Sequence, residues 1–313
     1  MSDLTNPIFT NEDKAREHLE AIRWPDGPAC PSCGFTSTVK ALGGKSMGPG
    51  WYHCGSCRDK FTVRVGTVYE RSKIPLHKWL LATHLVCASK KGMSAHQLHR
   101  MLGITYKSAW FMLHRIRESM RDDNPGPMGG DGKFAEADET YIGKRDKKRT
   151  LKTDGTPFLK SGKAAQRVPV VSLVSGGKSR SFAVNRANTA TIREILVTNV
   201  DRATELHTDE APMYVKIGDE FKAHKTVNHS RHEYVRKDGV TTNRVENFFS
   251  VFKRGMRGVY QHCREKHLQR YLDEFDFRYN NREITDAERR DVALKGIKGK
   301  RLTYRRTANW AHV

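Results

Sequence analysis

Two cysteine pairs constrain this chain more than any other feature. Cys30 and Cys33 stand in "CPSC", Cys54 and Cys57 in "CGSC", with twenty residues between the pairs. Each C-x2-C places two thiolates on one tight turn, and two such turns supply the four sulfurs of a tetrahedral zinc site. The spacer "GFTSTVKALGGKSMGPGWYH" and the following "RDKFTVRVGTVY" read as short strands joined by glycine turns, so a zinc ribbon is predicted over 25–70. A segment this small builds too little apolar core, and the metal supplies its folding energy. Cys87 and Cys263 have no cysteine close by and read as ordinary buried or half-buried thiols. The polar start "MSDLTNPIFTNEDKAREHLE" lacks the apolar stretch of a signal peptide, and no run approaches the ~20 apolar residues that span a bilayer. The expectation is a cytoplasmic protein with reduced thiols and no membrane partner.

Charge names the partner. The chain carries 56 Lys and Arg against 35 Asp and Glu, a formal net charge of +21. An excess of that size favours a polyanion, with nucleic acid the default. A helical lead-in over 1–24 precedes the ribbon, and a helical segment over 71–121 follows it. There "PLHKWLLATHLVCASKKG" reads as a packing helix. Leu98, Met101 and Leu102 then form one apolar face, Gly103 breaks the helix, and Ala109, Met112, Leu113 and Ile116 form a second face from Ser108 onward. Two short helices joined by a glycine-containing turn are the helix-turn-helix pattern. The second helix is expected to offer Tyr106, Lys107, Ser108, Phe111, His114, Arg115 and Arg117 to phosphates and base edges in a major groove.

Residues 122–133, "DDNPGPMGGDGK", read as a linker or exposed loop. From 134 to 282 strand-like and helix-like runs alternate, and 283–313 reads as a basic tail. "KFAEADETYIGK", "RVPVVSLVS" and "SRSFAVN" are predicted strands, and the insert Lys144–Arg167 a mobile basic loop. "TATIREILVTNV" is a helix, "TELHTDEAPMYVKI" a strand ending at Asp209 with a helix from Pro212, and "EYVRKDGVTTN" is extended. "NRVENFFSVFKRGMRGVY" and "KHLQRYLDEFDFRYNNR" are helices. Three strands, a helix, a strand and then helices is the order of the RNase H-like fold. In that fold the first and fourth strands are neighbours, which brings Asp138 beside Asp209. Glu246 follows 37 residues later on a helix that can cross the sheet. Like charges held together are costly unless a cation neutralises them. Hard oxygen ligands select Mg2+ or Mn2+, and two such ions drive phosphodiester chemistry. Strand alternation turns Glu139 away from Asp138, while Glu136 shares its face and is the acid most easily mistaken for a ligand. Of the nearby histidines, His207, His224, His229, His232, His262 and His267, each reads first as structural.

At these residues the chain resembles a bacterial insertion-sequence transposase of the ISXO-like group, in which a zinc ribbon precedes a DDE-type catalytic domain. The stretches that carry the resemblance are "CPSCG", "YHCGSCRDKFTVRVGTVYERSKIPLHKWL", "DETYIGK", "HTDEAPMY", "TTNRVENFFSVFKRGMRGVYQH" and "HLQRYLDEFDFRYNNR", covering most of 25–285. The resemblance implies a multidomain chain of zinc ribbon, helix-turn-helix segment and α/β RNase H-like catalytic domain. It assigns Asp138, Asp209 and Glu246 to Mg2+ or Mn2+, two ions in such enzymes, with Asp138 between them. Some relatives carry Asn in the third position, so Asn243 is a second candidate there. Lys253 matches the basic residue that follows the third acid. The expected DNA contacts are Lys107, Ser108, Arg115, Arg117, Arg244, Lys253 and Arg254. The implied activity is cleavage at terminal inverted repeats and joining of the freed 3′ ends to target DNA, by a homo-oligomer on paired ends in a bacterial cytoplasm. Two other readings stand beside it: a DNA-binding regulator that no longer cuts, and an RNase H-like nuclease or resolvase that cuts without joining.

Overall fold

In the computed structural model, residues 4–44, 47–143, 150–151, 157–158, 167–227 and 239–304 are described. The chain folds as two units, one running to Asp122 and resuming at Asn281, the other Asp123–Asn280. Among the described residues, no helix is long and apolar enough to cross a membrane.

The first unit opens with α1 (Glu12–Arg23), capped by the Asn11 side chain, and a three-stranded antiparallel ribbon of β1 (Val39–Leu42), β2 (Trp51–Cys54) and β3 (Lys60–Thr62). Trp24, at the end of α1, packs edge-on against Tyr52 and Phe61 of the ribbon. Helix α2 (Leu76–Ala88) is buried on nearly every side, as its largely apolar sequence requires. Its N-terminus has no side-chain cap of its own; Glu12 supplies one, accepting from the Leu76 and His77 amides at 2.8 and 3.2 Å.

Helices α3 (Ala95–Leu102) and α4 (Tyr106–Met120) meet at Gly103, whose φ of 60° is the left-handed conformation a glycine adopts without steric cost. Thr105 caps α4 through the Ser108 amide. The helix-turn-helix geometry is therefore present, but α4 is exposed only at its start. Every residue from Met112 to Met120 is buried. This corrects the expectation for His114, Arg115 and Arg117: the helix is enclosed all round beyond Phe111 instead of presenting one polar face. Arg115 donates to the Glu70 carbonyl at 2.6 Å and lies over the Trp79 and Phe111 rings.

The stretch expected to be a basic tail contains α9 (Asp286–Lys295), begun by a Thr285–Glu288 capping box and packed with α2. Beyond it, Gly299 and Ile297 hydrogen-bond to Gly66 and Val68. Residues 281–302 thus complete the first unit, a correction to a tail starting at 283.

The second unit is built on a five-stranded sheet of order β10-β9-β4-β7-β8. Its strands are β4 (Phe134–Ile142), β7 (Val168–Ser175), β8 (Lys178–Ala183), β9 (Glu205–Asp209) and β10 (Ala223–Val227). A further short pair, β5 (Thr150–Leu151) and β6 (Pro157–Phe158), forms a hairpin of its own. Strands β4, β7 and β8 are antiparallel neighbours, whereas β9 runs parallel to β4 and β10 parallel to β9. That is the RNase H-like topology. The first part of the expected extended stretch Glu233–Asn243, at 233–238, and most of Lys144–Arg167 lie outside the described residues, as do His229 and His232.

One face of the sheet carries α5 (Thr189–Asn199) and α6 (Pro212–Gly218), with Ala135, Ala137, Leu173, Leu196 and Ile217 in its core. The other carries α7 (Asn243–Gly255) and α8 (Leu268–Asn280), where Val245, Phe248, Phe249 and Phe252 meet Val168, Val170 and Val174. The stretch expected to be a linker docks in part on the first face: Met128 is buried and exchanges backbone hydrogen bonds with Asn199 and Asp201. Along β8, the alternate amides of Ser179, Ser181 and Ala183 donate to side chains of α8, namely Asn280, Asp276 and Gln269, at 2.6–2.9 Å. Asn280 and Gln269 return hydrogen bonds to the Ser179 and Ser181 carbonyls.

Candidate active site

Strands β4 and β9 set the first two acids. Phe134 is level with Glu205, Ala135 with Leu206 and Glu136 with His207. The recorded pairing ends there, two residues short of Asp138 and Asp209, and the charge of Asp209 acts on Asp138. Asp209 is held in a short turn by the Ala211 amide at 3.0 Å, and Pro212 then starts α6. Glu246 lies in the first turn of α7, where the Thr242 hydroxyl donates to its Oε1 at 3.0 Å.

The electrostatics tie the three together. Burial pushes the Asp138 carboxyl up to about 7, and the charges of Glu139, Asp209 and Glu246 push the same way, against a hydrogen bond from the Glu139 amide. Glu139, on the opposite face of β4, accepts from the buried Tyr214 hydroxyl at 2.7 Å, and burial raises it too. Asn243 is exposed at the first position of α7, whereas Glu246 is half-buried. Lys253 sits over the Phe249 ring, Arg254 is exposed, and the Arg244 guanidinium lies over Phe134. His207 Nε2 pairs with Glu205 and His224 Nε2 with the Thr208 hydroxyl, both on the strands rather than among the acids.

Glu136 has a different use. It is fully buried, and its Oε2 accepts from the Arg244 and Val245 amides at 2.8 and 3.0 Å. Burial nonetheless pushes it up to about 7. Sequence reasoning also missed Thr242 and Tyr214 as partners of the acids. A hydroxyl four residues before Glu246 is a signal that could have found Thr242.

A carboxyl driven toward protonation by burial and by the charges of nearby acids, as Asp138 is, is one that a dication relieves, and carboxylate oxygens are the donors that hard cations such as Mg2+ or Mn2+ take. A pH dependence follows. Asp138 and Glu136 titrate near 4 when unfolded and at about 7 when folded. Each favours folding fully below pH ~4, and that contribution is lost as pH rises through about 7. The stability gained on Asp138→Asn in metal-free protein is therefore expected to widen between pH 5 and 8 in urea unfolding. A gain that stays flat or narrows would contradict a raised Asp138.

In the ribbon, Cys30 Sγ lies 3.5 Å from Cys57 Sγ and Cys33 Sγ 3.6 Å from Cys54 Sγ, with all four sulfurs within 4.8 Å of one another. Four ligands at a Zn–S distance of about 2.3 Å stand roughly 3.8 Å apart, so the cage fits zinc. The Cys57 and Ser56 amides help draw Cys54 down to about 6, toward the thiolate a metal binds. Among the described residues this is the one group of three or more His, Cys, Asp or Glu side chains so closely gathered.

A four-cysteine ribbon ahead of an RNase H-like sheet with acids at its end defines a class, the zinc-ribbon proteins with a DDE-type domain. Comparison with known families narrows it: the ISXO2-like transposase domain matches residues 130–280, and the transposase zinc-ribbon domain matches 10–60. The chain belongs to this family of insertion-sequence transposases. It is 27% identical over 284 residues to an uncharacterized protein in transposable element ISH50 of Halobacterium salinarum, covering 86% of this chain and 91% of that one. A solved structure described as a pre-cleavage Mos1 transpososome aligns with 60% of this chain and 72% of its own at 9% identity, but at a TM-score of 0.21, too weak a likeness to bear on this chain.

Proposed function

We propose that the protein is a DNA transposase that binds the terminal inverted repeats of its insertion sequence, cleaves phosphodiester bonds and joins the 3′ ends to target DNA. The observation that carries this reading is that the charges of Asp209 and Glu246 both bear on the buried Asp138, from strands β9 and β4 that pair in parallel and from the first turn of α7, in a chain of the transposase family. Asp138, Asp209 and Glu246 would hold Mg2+ or Mn2+, which supplies activation of the attacking hydroxyl and stabilisation of the leaving oxygen. Thr242 orients Glu246. Lys253 and Arg254, about two turns further along α7, bind DNA phosphate, and Arg244 lies at the rim beside Glu136. Asn243, exposed at the helix start, is placed for a phosphate contact rather than as the third acid's substitute. On the first unit, DNA contact falls to the start of α4, at the exposed Tyr106 and Lys107 and the half-buried Ser108, since helix-turn-helix proteins read base edges from the N-terminal residues of the second helix.

A strand-transfer assay with Mg2+ and the inverted-repeat DNA that flanks the gene tests this reading. Joined product is expected. Cutting without joining would make the protein a nuclease, and binding alone a regulator. A second expectation comes from charge. The logarithm of DNA affinity should fall linearly with the logarithm of salt, by about 0.9 per phosphate neutralised. A flat response between 50 and 200 mM would remove nucleic acid as the partner.

A further inference from the structure

The first amides of a helix have no partner within it, and buried ones require an acceptor. Helix α7 has no side-chain cap of its own. Thr242 stands where a cap belongs, but its hydroxyl is turned to Glu246. Glu136 takes over the role from 108 positions away, accepting both the Arg244 and the Val245 amide on one oxygen. A carboxylate at this end also meets the positive pole of the helix dipole.

The anchor is itself held rigidly. Glu136 lies on the central strand of the sheet, level with Val174 of β7 on one side and His207 of β9 on the other. Two residues on, the same strand presents Asp138 on the same face. The amides that Glu136 fixes belong to the two residues immediately before Glu246. A single short piece of β4 thus carries one acid of the site and the clamp on the turn that carries another.

We propose that Glu136 is a positioning residue: it fixes the first turn of α7, and so the approach of Glu246 to Asp138, without itself holding metal. The proposal rests on the assignment of Asp138, Asp209 and Glu246 as the metal-holding set. Its rival is that Glu136 is a fourth ligand. Glutamine separates the two, because its side-chain oxygen accepts the same two amides but lacks the charge a hard cation selects.

The test uses the full chain without DNA. Hydrogen exchange at the Arg244 and Val245 amides is measured in metal-free protein, and Mn2+ binding is titrated by electron paramagnetic resonance. Glu136→Ala is expected to lower protection of both amides and to weaken Mn2+ binding about tenfold, the lower range for loss of a group that orients a ligand. Glu136→Gln is expected to keep both within about threefold of wild type. Should the alanine variant fail to fold, Glu136→Asp, which draws the carboxylate back by one methylene, is expected to lose the same protection. Weakening of Mn2+ binding by Glu136→Gln as large as that by alanine would make Glu136 a ligand, and unchanged protection in Glu136→Ala or Glu136→Asp would remove the clamp. Asp138→Asn serves as the control: if it leaves Mn2+ binding unchanged, the metal-site assignment fails, while the amide results still judge the clamp.

Discussion

Asp138→Asn is expected to lower DNA cleavage by about a thousandfold or more and to leave the second unit folded. A thousandfold corresponds to about 4 kcal/mol of barrier, the scale that metal-held charge supplies to phosphoryl chemistry. The fold should tolerate the change because the Asp138 carboxyl contributes no stability as an ion: burial and three neighbouring acids all disfavour its charge. Asparagine keeps its shape and an acceptor for the Glu139 amide. In EDTA the variant should melt at or above the wild-type temperature, the pattern of a residue kept for function against stability. Cleavage within tenfold of wild type would sink the site assignment, and a drop in melting temperature would sink the account of why Asp138 is strained.

The second large effect concerns the ribbon. Stripping the metal, or Cys54→Ser, is expected to unfold residues 25–70, because structural zinc supplies roughly 10–16 kcal/mol to domains of this kind. What holds the three strands without it is chiefly a small aromatic cluster of Trp24, Tyr52 and Phe61, too little to order them, whereas Val68 and Tyr69 beyond them pack on the rest of the first unit. Trp24 belongs to the end of α1, so the loss should reach back into that helix, which a ribbon bounded at 25 would not suggest. Limited proteolysis with and without chelator reads both effects: new cuts across the ribbon and α1, none in the sheet of the second unit. A ribbon equally resistant in both states would refute the zinc reading.

Much of this was legible in the sequence, for physical reasons. Apolar runs such as "RVPVVSLVS" allow only a buried strand, and the aromatic stripe of α7 has one dry surface to meet. The ribbon was legible because four thiols at fixed spacing leave few alternatives. Hydrophobicity failed elsewhere. "AHKTV" became β10 with one fully buried residue, Val227. Helix α9, "DAERRDVALK", looked like solvated charge, yet Arg289 is spent on the Cys87, Asn281 and Ile284 carbonyls. Arg115 and Arg117 looked available for DNA and are enclosed, because a helix buried all round hides whatever its sequence places there. At the site, the acids could be found from strand order. The use of Glu136 could not, because a threonine stood in the capping position and nothing local shows that its hydroxyl is committed to Glu246.

The side chains of α8 along β8 bear on how copies of this chain can assemble. A strand that joins a sheet needs unoccupied donors and acceptors to zip against. On β8 the outward amides of Ser179, Ser181 and Ala183 are already taken by a helix that imitates the missing neighbour. The sheet therefore has a sealed flank. A second copy of this chain cannot extend the sheet past β8, so any contact between two sheets would have to use side-chain surfaces or the opposite edge.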